Sequence, residues 1–217
     1  MFSSLEVWHD DADRTPSAQM AADEALLRCA AVPTVRTYRW ATPAATFGYS
    51  QKIADVRDRS GRLPVVRRWT GGGIVLHGND LTVALAIPAS FAPTGCKAGG
   101  IYREIHGAIL RGLEEKIPDA RLAQAADCRQ GLACFEAPAL DDIIAGGLKI
   151  CGGALRRGRS GILYQGSLQY RDEVDGHAVC RALSSVLRDH RDISRVEELA
   201  SRLEVEKYGT DHWNMLR

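Results

Sequence analysis

The sequence of 217 residues contains no apolar run that approaches the roughly 20 residues of a membrane-spanning helix. Its first residues, Met1 to Glu6, have neither the basic start nor the apolar stretch of a secretory signal peptide. We therefore expect a cytoplasmic protein that has no membrane partner.

An excess of one charge sign is also missing, because 28 Lys and Arg residues are balanced by 27 Asp and Glu residues, which gives a net charge of +1. Proteins that bind nucleic acid through phosphate contacts need a surplus of Lys and Arg, so we expect no nucleic-acid partner. One local basic cluster, Arg156, Arg157 and Arg159, is typical of a solvated turn or of a docking patch for an acidic protein.

None of the six cysteines stands in a Cys-x-x-Cys pair, so the sequence predicts no zinc site and no other metal centre. In a reducing cytoplasm they should be free thiols, and most are expected to be small core residues. The sequence also lacks the P-loop and the Gly-x-Gly-x-x-Gly turn, so its glycine-rich segments match no known nucleotide loop.

Composition and the order of periodic segments predict the fold class. Hydrophobic residues make up 45% of the chain and charged residues 25%, as in an ordinary soluble domain. We expect one domain over residues 1–217, with a core over about 5–170 and C-terminal helices over about 175–210. Strands and helices are segregated rather than alternating, which predicts an α+β fold with a mixed, mostly antiparallel sheet flanked by helices.

Caps, turns and periodicity predict the main elements. The first helix should begin near Thr15, a second carries an apolar stripe from Ile101 to Leu113, and the last should begin at the capping box Ser194 to Glu197. Gly146 and Gly147 predict a tight hairpin turn. The predicted strands cover residues 35–40, 45–49, 65–69, 81–88, 142–144, 148–150 and 161–168.

A first segment of interest joins a basic pair to three glycines and an apolar strand that ends in His77. Its candidate binding residues are Arg68, Thr70, Gly71, Gly72, Gly73 and His77. Two interpretations remain open for the glycines: a flexible turn, or a place where a ligand lies against backbone N–H groups. His77 is likewise either a hydrogen-bonded structural residue or a substrate contact, and the sequence assigns it no acidic partner.

A second segment sets Cys134 fifteen residues before Lys149, which opens the turn Gly152, Gly153, Ala154. The hairpin between them is expected to fold Lys149 back towards Cys134. A neighbouring ammonium lowers the pKa of a thiol from its free value of about 8.5. Cys134 is therefore a candidate nucleophile for acyl transfer, with a small core residue as the alternative.

These segments resemble the lipoate-protein ligase and octanoyltransferase superfamily, which is related to biotin-protein ligases. The first family motif, Arg-Arg-x-Thr-Gly-Gly-x-x-Val-x-His followed by Leu-Thr, is similar to Arg67 to His77 and Leu81-Thr82. The lysine motif resembles Lys149 to Ala154. Two shorter family segments resemble residues 48–51 and the strand 161–168 that contains Gly166. The resemblance implies a biotin/lipoate-protein-ligase-like fold.

Within the superfamily, the segment Cys134-Phe135-Glu136-Ala137-Pro138 resembles the cysteine-dependent octanoyltransferase branch. That resemblance implies that Cys134 takes an octanoyl group from acyl carrier protein as a thioester, with Lys149 lowering the thiol pKa. The acceptor would be a lysine of a lipoyl domain, such as the glycine-cleavage H protein or a 2-oxoacid dehydrogenase subunit. No cofactor is then required. The implied substrate-binding residues are Arg68, Thr70, Gly71, Gly72, Gly73, His77, Gly152, Gly153, Ala154 and Gly166.

Two alternatives remain open. In the first, the chain is the catalytic module of a lipoate-protein ligase that uses ATP and Mg, and Cys134 is incidental. In the second, it is an inactive paralogue that binds an acylated carrier. The stretch after Leu168 is short, so no accessory C-terminal ligase domain is expected. Gly78, Gly153 and Leu155 depart from the family motifs near the expected acyl and adenylate region.

Overall fold

The structure, a computed structural model, describes residues 1–128, 137–170 and 174–216. Cys134 therefore lies outside the described residues. No helix among the described residues is long and apolar enough to span a membrane.

Among the described residues, the main element is a mixed sheet of eight strands. In spatial order these are β11 (Leu187–Asp189), β1 (Leu5–Asp10), β2 (Thr34–Tyr38), β6 (Leu81–Pro88), β10 (Gly161–Leu168), β9 (Leu148–Gly158), β8 (Ile143–Ala145) and β7 (Arg121–Leu122). β1 pairs in parallel with β2 and β11, and the other neighbours are antiparallel. This confirms the predicted mixed, mostly antiparallel sheet.

A second, small sheet contains the glycine-rich segment. β3 (Ala44–Phe47) lies between β4 (Val65–Arg67) and β5 (Val75–His77). It is parallel to β4 and antiparallel to β5. Residues 68–74 therefore connect two strands that both pair with β3, and His77 ends β5.

Six α-helices are described: α1 (Pro16–Cys29), α2 (Ile53–Ser60), α3 (Ala98–Leu113), α4 (Gly176–Leu183), α5 (Ile193–Leu203) and α6 (Asp211–Asn214). A short 3-10 turn covers Ala125–Asp127 and a π turn covers Glu204–Tyr208. α1 begins as predicted, because the Thr15 hydroxyl accepts a hydrogen bond from the Ala18 amide at 3.1 Å and Pro16 occupies the first turn.

The two faces of the main sheet carry separate cores, and β6 shows why. Its larger side chains Val83, Leu85 and Ile87 pack on the face covered by α3 and α4. Its alanines Ala84 and Ala86 pack on the other face, against α1 and α5. Small residues there let α1 approach the sheet closely.

The predicted strands 81–88 and 161–168 are confirmed, and the others begin and end within two residues of the prediction, except that β9 continues to Gly158. Gly146 and Gly147 form the turn between β8 and β9 with positive φ values of 56° and 78°. The prediction that a capping box at Ser194 to Glu197 begins the helix was wrong. α5 begins at Ile193, and its N-cap residue Asp192 makes no side-chain hydrogen bond. Buried Val196, Ala200 and Leu203 hold that helix by packing instead.

Candidate active site

A narrow slot crosses the face of the main sheet that carries α1. Its floor follows one row of paired residues on four adjacent strands: Tyr38 with Thr82, Thr82 with Ser167, and Ser167 with Gly152. Three strand spacings of about 4.8 Å make this row roughly 14 Å long. The cavity volume is about 20 Å³, so the slot must widen to admit an acyl chain.

The opposite wall comes from the small sheet and from the segment that joins its strands. Thr46, Arg68, Val75 and His77 line it, while Leu76 points away and is half exposed. The predicted residues Gly152, Gly153, Ala154 and Gly166 line the floor together with Gln165.

Trp40 and Tyr38 close the slot at its β2 end. The Trp40 indole stacks on the His77 ring with centroids 4.0 Å apart and planes 19° apart. Its Nε1–H donates to the Thr82 hydroxyl at 2.9 Å. Beyond these two aromatic side chains lies an open cleft of about 630 Å³ that they also line. Trp40 thus separates the slot from a larger space.

Lys149 lies at the β9 end of the slot in a buried ion pair. Its ammonium is 2.7 Å from Asp142 Oδ2, and the two side chains are only 3% and 1% exposed. A surface groove of about 390 Å³ opens beside Lys149, between Leu148 and Tyr170. Lys149 therefore lies between Gly152 on the slot floor and the open groove.

Gly152 lets the lysine occupy this place. A Cβ atom on Gly152 would overlap the Cε and Nζ atoms of Lys149. Gly153 and Gly166 have a different structural reason, since a Cβ on either would overlap the Tyr164 ring, which packs along the strands beneath them. These three predicted binding residues are glycines because of neighbouring side chains.

Tyr102 completes the environment of the ion pair. Its hydroxyl donates to Asp142 Oδ1 and accepts the Gly153 N–H at 3.0 Å. Burial and the neighbouring Asp142 carboxylate raise the pKa of Tyr102, so the phenol keeps its proton at neutral pH. The Gly153 N–H is therefore already bound by a protein oxygen.

Arg68 organises the glycine segment from within. Its Nη2 donates to the carbonyl oxygens of Gly71 and Gly73 at 2.9 and 2.8 Å. Gly72 between them has a φ of 87°, a conformation that favours glycine. The segment is thus a turn wrapped around a guanidinium, with the Gly71 and Gly73 carbonyls facing inward. Gly48 permits the turn to cross close by, because a Cβ there would overlap the Gly72 carbonyl.

A relay of hydrogen bonds fixes Arg68. Its Nη1 donates to the Thr46 hydroxyl at 2.7 Å, which lies 2.8 Å from His77 Nε2, and His77 Nδ1 lies 2.8 Å from Asp80 Oδ2. The carboxylate only accepts, so His77 donates from Nδ1 and accepts from Thr46 at Nε2.

The charge states of the relay follow from its burial. Burial lowers the pKa of His77 despite the neighbouring Asp80 carboxylate, so the imidazole is neutral at pH 7. Burial alone would raise the pKa of Asp80, but hydrogen bonds from His77, Ser167 and the Gly78 amide hold it below its usual range. The neutral His77 thus holds Thr46, and through it Arg68, in one orientation.

Thr70 is anchored from the sheet. Its hydroxyl donates to Gln165 Oε1 at 2.7 Å, and Gln165 donates in turn to the buried Asp23 of α1 at 2.6 Å. Thr70 therefore ties the glycine segment to the slot floor, and its hydroxyl is already engaged with protein.

A second buried pair lies beside Tyr102. His106 Nε2 accepts from the Tyr164 hydroxyl at 2.9 Å, and Nδ1 donates to the Asp141 carbonyl at 2.8 Å. Burial lowers the pKa of His106 to about 4, so this imidazole stays neutral over the physiological range.

The arginine cluster on β9 braces loops. Arg156 donates to the Trp69 carbonyl at 3.1 Å and Arg157 to the Cys96 carbonyl at 2.6 Å. Eight residues of strand separate Arg157 from Lys149, a distance of roughly 26 Å. These contacts favour a structural role for both arginines over a docking patch for an acidic protein.

Sequence patterns did not reveal Asp142, Tyr102, Asp80 or Trp40 as site residues. Asp80 follows His77 by three residues in a turn, which is a local signal for the pair. Asp142 adjoins the hairpin that carries Lys149. Tyr102 lies on α3 and Trp40 lies two residues after β2, and no local pattern connects either residue to the slot.

The chain next to Cys134 is attached to the same ion pair. The Ala139 N–H donates to Asp142 Oδ2 at 2.6 Å. Ala139 follows Cys134 by five positions in the sequence. The placement of Cys134 itself lies outside the described residues.

Known proteins are similar to this chain over most of its length. The Lipoyl protein ligase A/B catalytic domain family matches residues 15–205. The chain belongs to this family. The matched range contains every described residue of the slot and of the Lys149 ion pair.

Curated relatives share a narrower name. Octanoyltransferase LipM of Halalkalibacterium halodurans is 32% identical over 182 residues, which cover 76% of this chain and 66% of that protein. Octanoyltransferase LipM of Geobacillus kaustophilus is 36% identical over 182 residues, which cover 75% of this chain and 65% of that protein. The chain spans about two thirds of the length of these relatives.

Solved structures confirm the fold. The crystal structure of lipoate-protein ligase A bound with ATP is similar at a TM-score of 0.76 and 21% identity, over 98% of both chains. A putative lipoate protein ligase of T. acidophilum gives a TM-score of 0.78 at 22% identity, over 99% of this chain and 100% of that one. The predicted α+β, lipoate-protein-ligase-like fold is therefore confirmed.

Proposed function

We propose that the chain is an octanoyltransferase that moves an octanoyl group from acyl carrier protein to a lysine of a lipoyl-domain protein, through a thioester on Cys134. The observation that carries the proposal is the buried Lys149 ammonium at one end of a narrow slot. The name shared by the curated relatives supports it. A bi-partite lipoate protein ligase of Thermoplasma acidophilum is described with its E2 lipoyl domain, which supports an acceptor of this class.

The orientation of the acyl group follows from the slot. The thioester carbonyl lies beside Lys149, and the alkyl chain runs across β9, β10, β6 and β2 towards Trp40. The open groove beside Lys149 gives access to the carrier's thiol arm and afterwards to the acceptor lysine. A positive charge at the carbonyl stabilises the oxyanion of each tetrahedral intermediate.

The reaction balances without a cofactor. In the first step the Cys134 thiolate attacks the thioester carbonyl, a carbon–sulfur bond to Cys134 forms, and the bond to the carrier's thiol breaks. The released thiolate takes up the proton that the Cys134 thiol lost. In the second step the neutral amine of the acceptor lysine attacks, an amide forms, and the amine proton goes to the Cys134 sulfur. A thioester is converted to an amide, which is downhill, so ATP is not needed.

A donor-requirement assay tests the proposal. Wild-type protein is mixed with octanoyl acyl carrier protein and an unmodified lipoyl domain without ATP, and in parallel with free octanoate, ATP and Mg. We expect an octanoylated lipoyl domain only from the carrier-protein thioester, and none with Cys134→Ala. Modification that requires ATP and free acid favours the ligase alternative. No modification under either condition favours the inactive paralogue.

A further inference from the structure

Two residues outside the predicted cysteine–lysine pair control where the Lys149 ammonium lies. We propose that Tyr102 and Asp142 are positioning residues that hold this ammonium at the end of the slot, and that transfer depends on the Tyr102 hydroxyl. The inference rests on the proposed function, because it concerns the reaction centre of that transfer.

Asp142 fixes the ammonium from a fully enclosed position. Its carboxylate receives three polar groups: the Lys149 ammonium at 2.7 Å, the Ala139 N–H at 2.6 Å, and the Tyr102 hydroxyl. A buried carboxylate with several donors has little freedom to rotate. The lysine ammonium that it binds is correspondingly fixed.

Tyr102 connects this carboxylate to the slot floor. Its hydroxyl donates to Asp142 and accepts the Gly153 N–H, so one oxygen links α3 to the residue before β8 and to strand β9. Gly153 is next to Gly152, over which the Lys149 side chain lies. A change in the position of the Tyr102 hydroxyl therefore moves both the carboxylate and the surface beneath the ammonium.

Asp142 also connects the ammonium to the segment of Cys134. The Ala139 amide that binds Asp142 follows Cys134 by five residues. The same carboxylate thus holds Lys149 and the described end of the chain that carries the nucleophile. Removing the Tyr102 hydrogen bond loosens the relative position of the two.

Tyr164 provides a matched control. Like Tyr102 it is a buried phenol, but the hydrogen-bond partners of its hydroxyl are His106 and Cys151 and not Asp142. Tyr102→Phe and Tyr164→Phe each remove one hydroxyl and leave the ring in place. Only the first removes a contact to the Lys149 ion pair.

The test compares kinetics and thiol reactivity in the two variants. For Tyr102→Phe we expect kcat to fall roughly 10- to 100-fold, the effect of a lost hydrogen bond to a charged group, while KM for the octanoyl donor stays within about threefold. Alkylation of Cys134 by iodoacetamide at pH 7, followed by peptide mass, should slow roughly tenfold. Tyr164→Phe should leave both near wild type.

The alkylation measurement needs no octanoyl transfer, so it separates this inference from the proposed function. If wild-type protein transfers no octanoyl group, the proposed function fails, and the alkylation rates still decide the role of Tyr102. The inference is overturned if Tyr102→Phe keeps the kcat and the alkylation rate of the wild-type protein. It is also overturned if Tyr164→Phe lowers kcat and the alkylation rate as much as Tyr102→Phe does. Asp142→Asn, which keeps the size of the side chain and removes its charge, should lower kcat further. If that variant fails to fold, the two tyrosine variants alone give the answer.

Discussion

The side chain of Lys149 lies directly over Gly152, where a Cβ atom would overlap its Cε and Nζ atoms. This contact links a glycine in the family's lysine motif to the position of a buried ammonium. The lysine reaches Asp142 only because its neighbour three residues later has no side chain.

The Lys149–Gly152 contact predicts that one methyl group added at Gly152 lowers the rate of octanoyl transfer. Gly152→Ala should displace the ammonium from Asp142 and lower the rate of octanoyl transfer by about 10²–10³, the cost of losing one oxyanion-stabilising group. Gly158→Ala on the same strand is the control, because a Cβ there meets no atom within 4 Å. Steady-state transfer assays on both variants give the comparison, and equal activities would contradict the explanation.

Trp40 predicts the limit on acyl chain length. Trp40→Leu should open the β2 end of the slot into the neighbouring cleft, so that donors longer than octanoyl are accepted. The ratio of kcat/KM for dodecanoyl and octanoyl carrier protein is the measurement, because a ratio cancels any loss of folded protein. We expect this ratio to rise relative to wild type. An unchanged ratio would mean that Trp40 does not terminate the slot.

The glycine turn predicts a difference in stability between adjacent positions. Gly72→Ala places a side chain at a φ of 87° and 3.3 Å from Arg68 Nη2, and should lower the free energy of unfolding by about 1–3 kcal/mol. Gly71→Ala should cost less, because a Cβ there meets nothing within 4 Å. Urea denaturation of both variants measures this, and equal losses would argue against a turn built on positive φ.

His106 predicts a specific pH dependence of stability. Its folded-state pKa of about 4 lies below the ordinary value of 6.5, so between these values the unfolded chain binds a proton that the folded protein does not. The stabilisation is therefore complete above about pH 6.5 and is lost as the pH falls towards 4, by up to about 1.4 kcal/mol per pH unit. Denaturant titrations at several pH values should give a shallower dependence for His106→Gln than for wild type. Parallel curves would show that His106 does not titrate in this way.

Parts of the fold followed from sequence because their signals are local. Residues 81–88 alternate large side chains with smaller ones, which fixed both the strand and its two faces. The Thr15 cap and the Gly146-Gly147 turn have side-chain and backbone chemistry of their own. The small sheet was not foreseen as a separate sheet, since strand pairing partners are not encoded in a local pattern.

The candidate site likewise contains residues that local motifs reveal and residues that only the tertiary structure places there. Lys149 and the glycine-rich segments stand in recognisable motifs, and the structure pairs Lys149 with Asp142. The identity of that anion, and the roles of Tyr102 and Trp40, depend on which helix and which strand end pack beside the slot. Such contacts arise from tertiary structure and have no fixed spacing along the chain.

The most direct test of the central claim is the mass of the peptide that contains Cys134 after a single half-reaction. Wild-type protein is mixed with octanoyl acyl carrier protein, without ATP and without an acceptor, then quenched in acid and digested. We predict one octanoyl group on the Cys134 peptide, removable by hydroxylamine and absent in Cys134→Ser. An unmodified Cys134 peptide from protein that still octanoylates a lipoyl domain would contradict the account.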